Sequence, residues 1–284
     1  MTVSPAEEVS AQPTINPPVF IVSAALLVSL LSLAVALPET SSQAFSALLS
    51  FVSVNFGWFY VVSIAFFLAF AVWVVLSPYG RLRLGRDDER PEFSNLSWFA
   101  MLFSAGIGIG LVYYGVAEPM QHFLNPPLSE GGSLQARRDA IGLTMFHWGV
   151  HAWAIYVVAG LAIAYFAYRK GLPLTLRSTL HPLLGDRIHG APGHFVDIVA
   201  VFGTLFGLAT SLGLGAMSVS AGLNHLFDVP HDRTTQLCVI AFVTACATVS
   251  LVTGVKKGIK RLSEANLLFA TLLLIFVLIA GPTV

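Results

Sequence analysis

Charge is scarce in this chain. Of its 284 residues, 15 are Lys or Arg and 15 are Asp or Glu, so 11% are charged. A water-soluble domain carries about 25%, and less than half of that leaves too little polar surface to cover a globule. With 56% hydrophobic residues and a mean hydropathy of +0.77, the composition is that of a membrane protein. Neither sign of charge is in excess, which removes the electrostatic footprint of a nucleic-acid partner. Cysteine is nearly absent. Cys238 and Cys246 are eight residues apart, about 12 Å along a helix, which is too far for a disulfide. They read as small buried apolar residues. A secretory signal is also missing, because Met1 to Pro18 holds Glu7 and Glu8 but no Lys or Arg, and a signal needs a basic start.

Long apolar runs are what the chain has in plenty. About 20 such residues span the hydrocarbon core as a helix. Seven runs qualify: 19–37, 57–77, 97–116, 141–168, 195–226, 235–254 and 262–281. Pro38 is expected to end the first. Between the runs, basic residues alternate. Arg81, Arg83, Arg86 and Arg90 follow the second run, Arg169, Lys170, Arg177 and Arg187 the fourth, and Lys256, Lys257, Lys260 and Arg261 the sixth. The other loops hold only Arg137, Arg138 and Arg233. Cytoplasmic loops carry the Lys and Arg excess, so Met1 is expected in the cytoplasm and Val284 outside. The stretch 171–193 reads as a cytoplasmic connector with a short interfacial helix, and 117–140 as an outer loop.

Three segments carry candidate chemistry. In the third run, Gly106, Gly108 and Gly110 alternate after Ser104, each costing a helix about 1 kcal/mol relative to Ala. They suit close helix packing, or an unwound helix whose carbonyls hold a cation at mid-membrane. In the fourth run, Trp148, Trp153 and Tyr156 fall on one flank of a helix, with Tyr156 about 80° and Trp153 about 140° from Trp148. Three ring faces there could take a quaternary ammonium by cation–π attraction, or pack on a neighbour. His147 and His151 fall on the opposite side and read as hydrogen-bonded packing residues, with metal ligation and a proton relay as the sharper alternatives. In the fifth run, Thr204 and Ser211 are seven apart and share a face, where hydroxyls can ligate sodium or bond back to the helix. Glu118, before Pro119, is expected at the outer interface, with Pro119 ending the helix. Asp197 and Glu264 are expected to be solvated at the cytoplasmic ends of spans.

Taken together, these strings resemble one family. Met101-Leu102-Phe103-Ser104-Ala105-Gly106-Ile107-Gly108-Ile109-Gly110 leads to Tyr114-Gly115-Val116-Ala117-Glu118-Pro119. Phe146-His147-Trp148, Trp153-Ala154-Ile155-Tyr156, Ser211-Leu212-Gly213-Leu214-Gly215 and Gly281-Pro282-Thr283 follow. From about residue 18 to the last, the chain is similar to the betaine/carnitine/choline transporters. The resemblance implies an all-α polytopic membrane protein with two peripheral helices and a LeuT-type core of two five-helix inverted repeats. On that map residues 1–18 are a cytoplasmic tail, 19–96 the peripheral helices and a basic loop, and 97–284 the first repeat. The second repeat is missing, so the chain is expected to be a fragment.

The resemblance further implies that Trp148, Trp153 and Tyr156 belong to an aromatic substrate box, lined also by Gly106, Gly108 and Gly110. Gly110 would track substrate, glycine going with betaine carriers. The backbones of Ser104 and Ile107, with the Thr204 hydroxyl, would hold sodium. Leu208 stands where sodium-coupled betaine members have a second hydroxyl. The implied function is sodium-coupled import of glycine betaine for osmoprotection. It would act in the bacterial inner membrane, with no cofactor beyond the coupling ion, and as a homotrimer if it follows the family. Alternatives are a proton-coupled or choline/carnitine-type carrier and a truncated, non-transporting remnant. From other classes come a seven-helix receptor, against which the charge bias and the lack of a buried Lys in the seventh run argue, and a membrane hydrolase using His147 and His151, which lacks a third ligand.

Overall fold

The computed structural model describes residues 15–281, without the side chains of Ile107, Ile109, Leu111 and Val112. Pro282 and Thr283 of the last motif, and most of the expected tail 1–18, lie outside the described residues. All regular structure among the described residues is helical. In chain order the α-helices are α1 (Pro17–Ala36), α2 (Pro38–Leu76), α3 (Asn95–Gly106), α4 (Gly115–Leu124) and α5 (Leu134–Trp148). They continue with α6 (Val150–Ala164), α7 (His181–Leu184), α8 (Ala191–Phe227), α9 (Arg233–Val252) and α10 (Lys260–Ala280).

Among the described residues, six helical stretches are long and apolar enough to cross a membrane: Pro17–Ala36, Pro38–Leu76, Leu134–Arg169, Ala191–Phe227, Arg233–Val252 and Val255–Ala280. Their starts follow from local chemistry. The Asn16 side chain accepts from the Val19 amide at α1, Ser133 from Ala136 at α5, and Asp232 from Thr235 at α9, each satisfying a donor left over in a first helical turn. Pro38 ends α1, as expected, and also opens α2, where a proline at the first position loses no hydrogen bond. The 39 residues of α2 extend about 58 Å, nearly twice a hydrocarbon core of about 30 Å. No residue of α2 is buried, which fits a helix facing lipid.

The third expected run, 97–116, departs from a single helix. After α3 a wider π-type turn covers Ile107–Tyr114, its backbone leaves helical geometry at Gly108 (φ −52°, ψ −115°), and α4 then takes over. The physical reason is the cost of three alternate glycines in one helical turn and a half. Pro119 lies inside α4 and does not end it. Local π-type widening re-satisfies backbone around proline in membrane helices, and here it directly precedes the proline's helix. The stretch 117–140, expected as loop, is therefore largely α4 and the start of α5.

The chain divides into two compact units. One comprises residues 15–63 and 159–205. Its connector carries short turns at Leu176–Leu180, His181–Leu184 and Gly185–His189. Asp197, expected to be solvated, is buried there. It pairs with Arg177 (Nε to Oδ2, 3.3 Å) with only 12% and 11% of the two side chains exposed. A carboxylate removed from water needs such a partner, and the connector folds back onto α8 to supply it.

The other unit comprises residues 64–158 and 206–281. Here α4 packs on α5 and α3 on α10. Apart from Glu118 on α4, the buried positions on these helices are small, among them Ser97, Ala100, Ala136, Ala140, Ser263 and Ala270. Small residues let membrane helices approach closely. Glu264 is only partly exposed, and accepts from the Ser97 hydroxyl at 2.5 Å. Cys238 and Cys246 are free and exposed on α9, not buried. The apolar flank of a membrane helix can face outward, which a burial rule drawn from soluble proteins does not anticipate.

Candidate binding cavity

A cavity of about 620 Å³ opens within the second unit. The broken helix lines it with Ser104, Gly106, Gly108, Gly110, Tyr113 and Tyr114. Trp148, Trp153 and Tyr156 face it from α5 and α6, and Thr210, Ser211 and Ser218 from α8. Three aliphatic residues of α9, Val239, Ile240 and Val243, complete this part of the wall. Trp148, Trp153 and Tyr156 keep 37%, 41% and 68% of their surface exposed, so their rings are available to a guest.

The glycines and the tryptophans fit one another. A Cβ on Gly106 would stand 2.6 Å from Cη2 of Trp153, and a Cβ on Gly110 2.8 Å from Cζ3 of Trp148. Two carbons need about 3.5–4.0 Å. Both indoles therefore lie against backbone that only glycine leaves bare. The two readings of the glycine motif merge: Gly106 and Gly110 serve close packing, and Gly108 breaks the helix.

The three rings do not share one helix. The chain leaves helical geometry at Gly149 (φ −80°, ψ −150°), so Trp148 ends α5 while Trp153 and Tyr156 belong to α6. A Cβ on Gly149 would collide with the Met145 carbonyl. The rings converge on the cavity across this break, which the angular argument for a single helix did not include. Trp153 and Tyr156 are 5.8 Å apart, ring centre to ring centre, and Trp148 and Tyr114 are 5.7 Å apart. Tyr113 and Tyr114 are wall residues that the sequence reading did not select. Their signal was an aromatic pair three residues beyond the last glycine of the motif.

The model of the betaine/carnitine/choline transporter family matches residues 18–284. The chain belongs to this family. It is 48% identical over 248 residues to the glycine betaine transporter OpuD of Bacillus subtilis, covering 87% of this chain and 48% of that protein. It is 42% identical over 280 residues to a glycine betaine transporter of Acinetobacter baylyi, covering 99% of this chain and 42% of that one. The high-affinity choline transport protein of Escherichia coli is 43% identical over 269 residues, 95% of this chain and 40% of that protein. The chain thus spans about half the length of the curated relatives it matches. Family members are transporters, not enzymes.

The remaining candidate residues of this family member are less alike. The Ser104 hydroxyl donates to the Ser263 carbonyl at 3.3 Å and accepts from Asn266 at 3.1 Å, which ties the start of the break to α10. Ile107 is the first residue of the π-type turn. Thr204 belongs to the other unit, where its hydroxyl donates to the Ala200 carbonyl at 2.9 Å, the back-bonding alternative named for it. His151 stacks near Phe146, 4.4 Å between ring centres.

Glu118 lies inside α4 and is buried, 6% exposed. Its Oε1 accepts from His147 Nδ1 at 2.7 Å and from His122 Nε2 at 3.3 Å, and its Oε2 accepts from the Trp148 indole N–H. His147 is hydrogen-bonded, as expected, but it sits beside Trp148, their ring centres 5.1 Å apart, not opposite it. The i, i+4 spacing of Glu118 and His122 was a legible hint. The link across to α5 was not.

Proposed function

We propose that the chain supplies half of the substrate pathway of a secondary transporter that imports glycine betaine coupled to sodium. The observation that carries this reading is the meeting of Trp148, Trp153 and Tyr156 around one cavity of about 620 Å³. A trimethylammonium group presents no hydrogen-bond donor of its own, so ring faces suit it better than oxygen ligands. Among the described residues that line the cavity there is no Asp or Glu. A net cation inside a bilayer without a counter-charge is costly, whereas a zwitterion brings its own. That favours betaine over choline, with exposed Ser211 on the cavity wall to meet the carboxylate end.

In this reading the groups offered to sodium are the backbones of Ser104 and Ile107 at the break and, in the other unit, the Thr204 hydroxyl. The basic loops set the N-terminus in the cytoplasm of a bacterial cell whose inner membrane holds the protein. The choline transport protein among the relatives makes choline the competing substrate. The test is uptake of labelled glycine betaine by cells lacking their own carriers and expressing the native protein, in sodium and in potassium buffers. Sodium-dependent betaine uptake is expected. Uptake indifferent to sodium, or faster for choline, would overturn the reading.

A further inference from the structure

We propose that Glu118 is a positioning residue for the cavity: its buried carboxylate holds the Trp148 indole N–H and so aims that ring at the guest. The inference rests on the reading of Trp148 as a wall of the substrate cavity. Trp148 is the last residue of α5, beside the break at Gly149. Two contacts hold its ring. The ring edge lies on the bare backbone of Gly110, and the indole N–H is held by Glu118 Oε2. A ring fixed at its edge and at its nitrogen has one orientation left.

The carboxylate is itself fixed. At 6% exposure a carboxylate without partners would be strongly destabilised. Glu118 has three side-chain partners: His147 beside the tryptophan, His122 one turn along α4, and Trp148 itself. The two imidazoles occupy Oε1 and leave Oε2 to the indole. Glu118 acts one step from the guest, because it is absent from the cavity lining while Trp148 is in it. The arrangement also has an electronic consequence. Hydrogen bonding of an indole N–H to an anion raises electron density on the ring, and cation–π attraction depends on that density.

The test is equilibrium binding of radiolabelled glycine betaine to the purified native protein and to four variants, with thermal unfolding followed alongside. Trp148→Phe removes the N–H and keeps a ring. Glu118→Ala removes the acceptor, and Glu118→Gln keeps one acceptor oxygen. The fourth variant combines Trp148→Phe with Glu118→Ala. Trp148→Phe and Glu118→Ala are each expected to weaken binding about tenfold, and Glu118→Gln to recover most of the second loss. The double variant should bind no more weakly than Trp148→Phe alone, since Glu118 acts through the indole. Full additivity of the two losses, or no loss in Glu118→Ala, would overturn the positioning role while leaving the cavity reading intact. Native-strength binding by Trp148→Phe would also overturn the positioning role, whereas no betaine binding by the native protein would overturn the cavity reading. A variant that unfolds at lower temperature but follows this pattern of affinities still supports the proposal, because a purely structural clamp predicts no dependence on the Trp148 background.

Discussion

Gly110→Ala tests the fit between glycine and indole with a single methyl group. The added carbon would stand 2.8 Å from Cζ3 of Trp148, 3.3 Å from Cη2 and 3.4 Å from Cε3. Carbon atoms in contact need about 3.5–4.0 Å, so the ring edge must retreat by about 0.7–1.2 Å. It cannot swing freely, because its N–H is bonded to Glu118. Overpacking of this kind costs about 1–3 kcal/mol, and a well-placed cation–π contact is worth about 0.5–2 kcal/mol. Loss of the aligned ring should therefore weaken betaine binding by about 1–2 kcal/mol, or about 5–30-fold. Better helix propensity offsets up to about 1 kcal/mol of the stability loss, so affinity falls more than stability. Equilibrium binding to purified protein reads the first quantity and thermal unfolding the second. The control is Gly142→Ala in α5, where an added Cβ meets nothing within 4 Å. Unchanged affinity in Gly110→Ala would refute the claim that the bare backbone seats the indole.

Other sites make separate predictions. Gly106→Ala puts a carbon 2.6 Å from Trp153, and should weaken betaine binding at least as much as Gly110→Ala in the same assay. Asp197→Leu leaves Arg177 buried without its partner, with 12% of its side chain exposed, and should destabilise the protein by about 3 kcal/mol. Thermal unfolding checks this, and adding Arg177→Met to Asp197→Leu should restore most of the loss. The Asp232 carboxyl, at the start of α9, is held below the usual carboxylate range chiefly by the Thr235 amide N–H. A depressed value in the folded state means that the cap's contribution is present above the unfolded carboxyl's ordinary pKa, and is lost as pH falls through the folded one. Hydrogen exchange of the Thr235 amide should therefore gain protection from the cap at neutral pH and lose it in strong acid, beyond the intrinsic pH dependence of exchange. Asp232→Asn should cap without that acid transition.

The spans were legible because the lipid-facing requirement acts on each residue separately. A largely apolar run of about twenty residues is enough for α1 or α9. The break at Gly108 was half legible: the glycines announced a weak point, but not that the backbone would widen into a π-type turn or that Pro119 would then sit inside α4. Trp148, Trp153 and Tyr156 line one cavity, but not as one flank of a continuous helix, since Gly149 separates Trp148 from Trp153. What brings the rings together is the seating of each indole on a glycine of another helix, a long-range fit with no period in the sequence. Glu118 and Asp197 were misplaced for the same reason. Each looked like a carboxylate near the end of a span, where water is near. Their burial depends on partners 29 and 20 residues away, His147 and Arg177, which only the folded chain discloses.

If, as proposed, the cavity recognises a quaternary ammonium by its charge against ring faces, the charge itself must matter to binding. Competition by the carbon isostere of glycine betaine, the same shape with a quaternary carbon in place of nitrogen, tests it most directly. Binding of radiolabelled betaine to the native protein is measured against each competitor. The account predicts that the isostere competes at least about tenfold more weakly than betaine, since it fills the same volume but offers the rings no cation. Equal competition would mean that shape and apolar burial alone hold the guest, and would contradict the account.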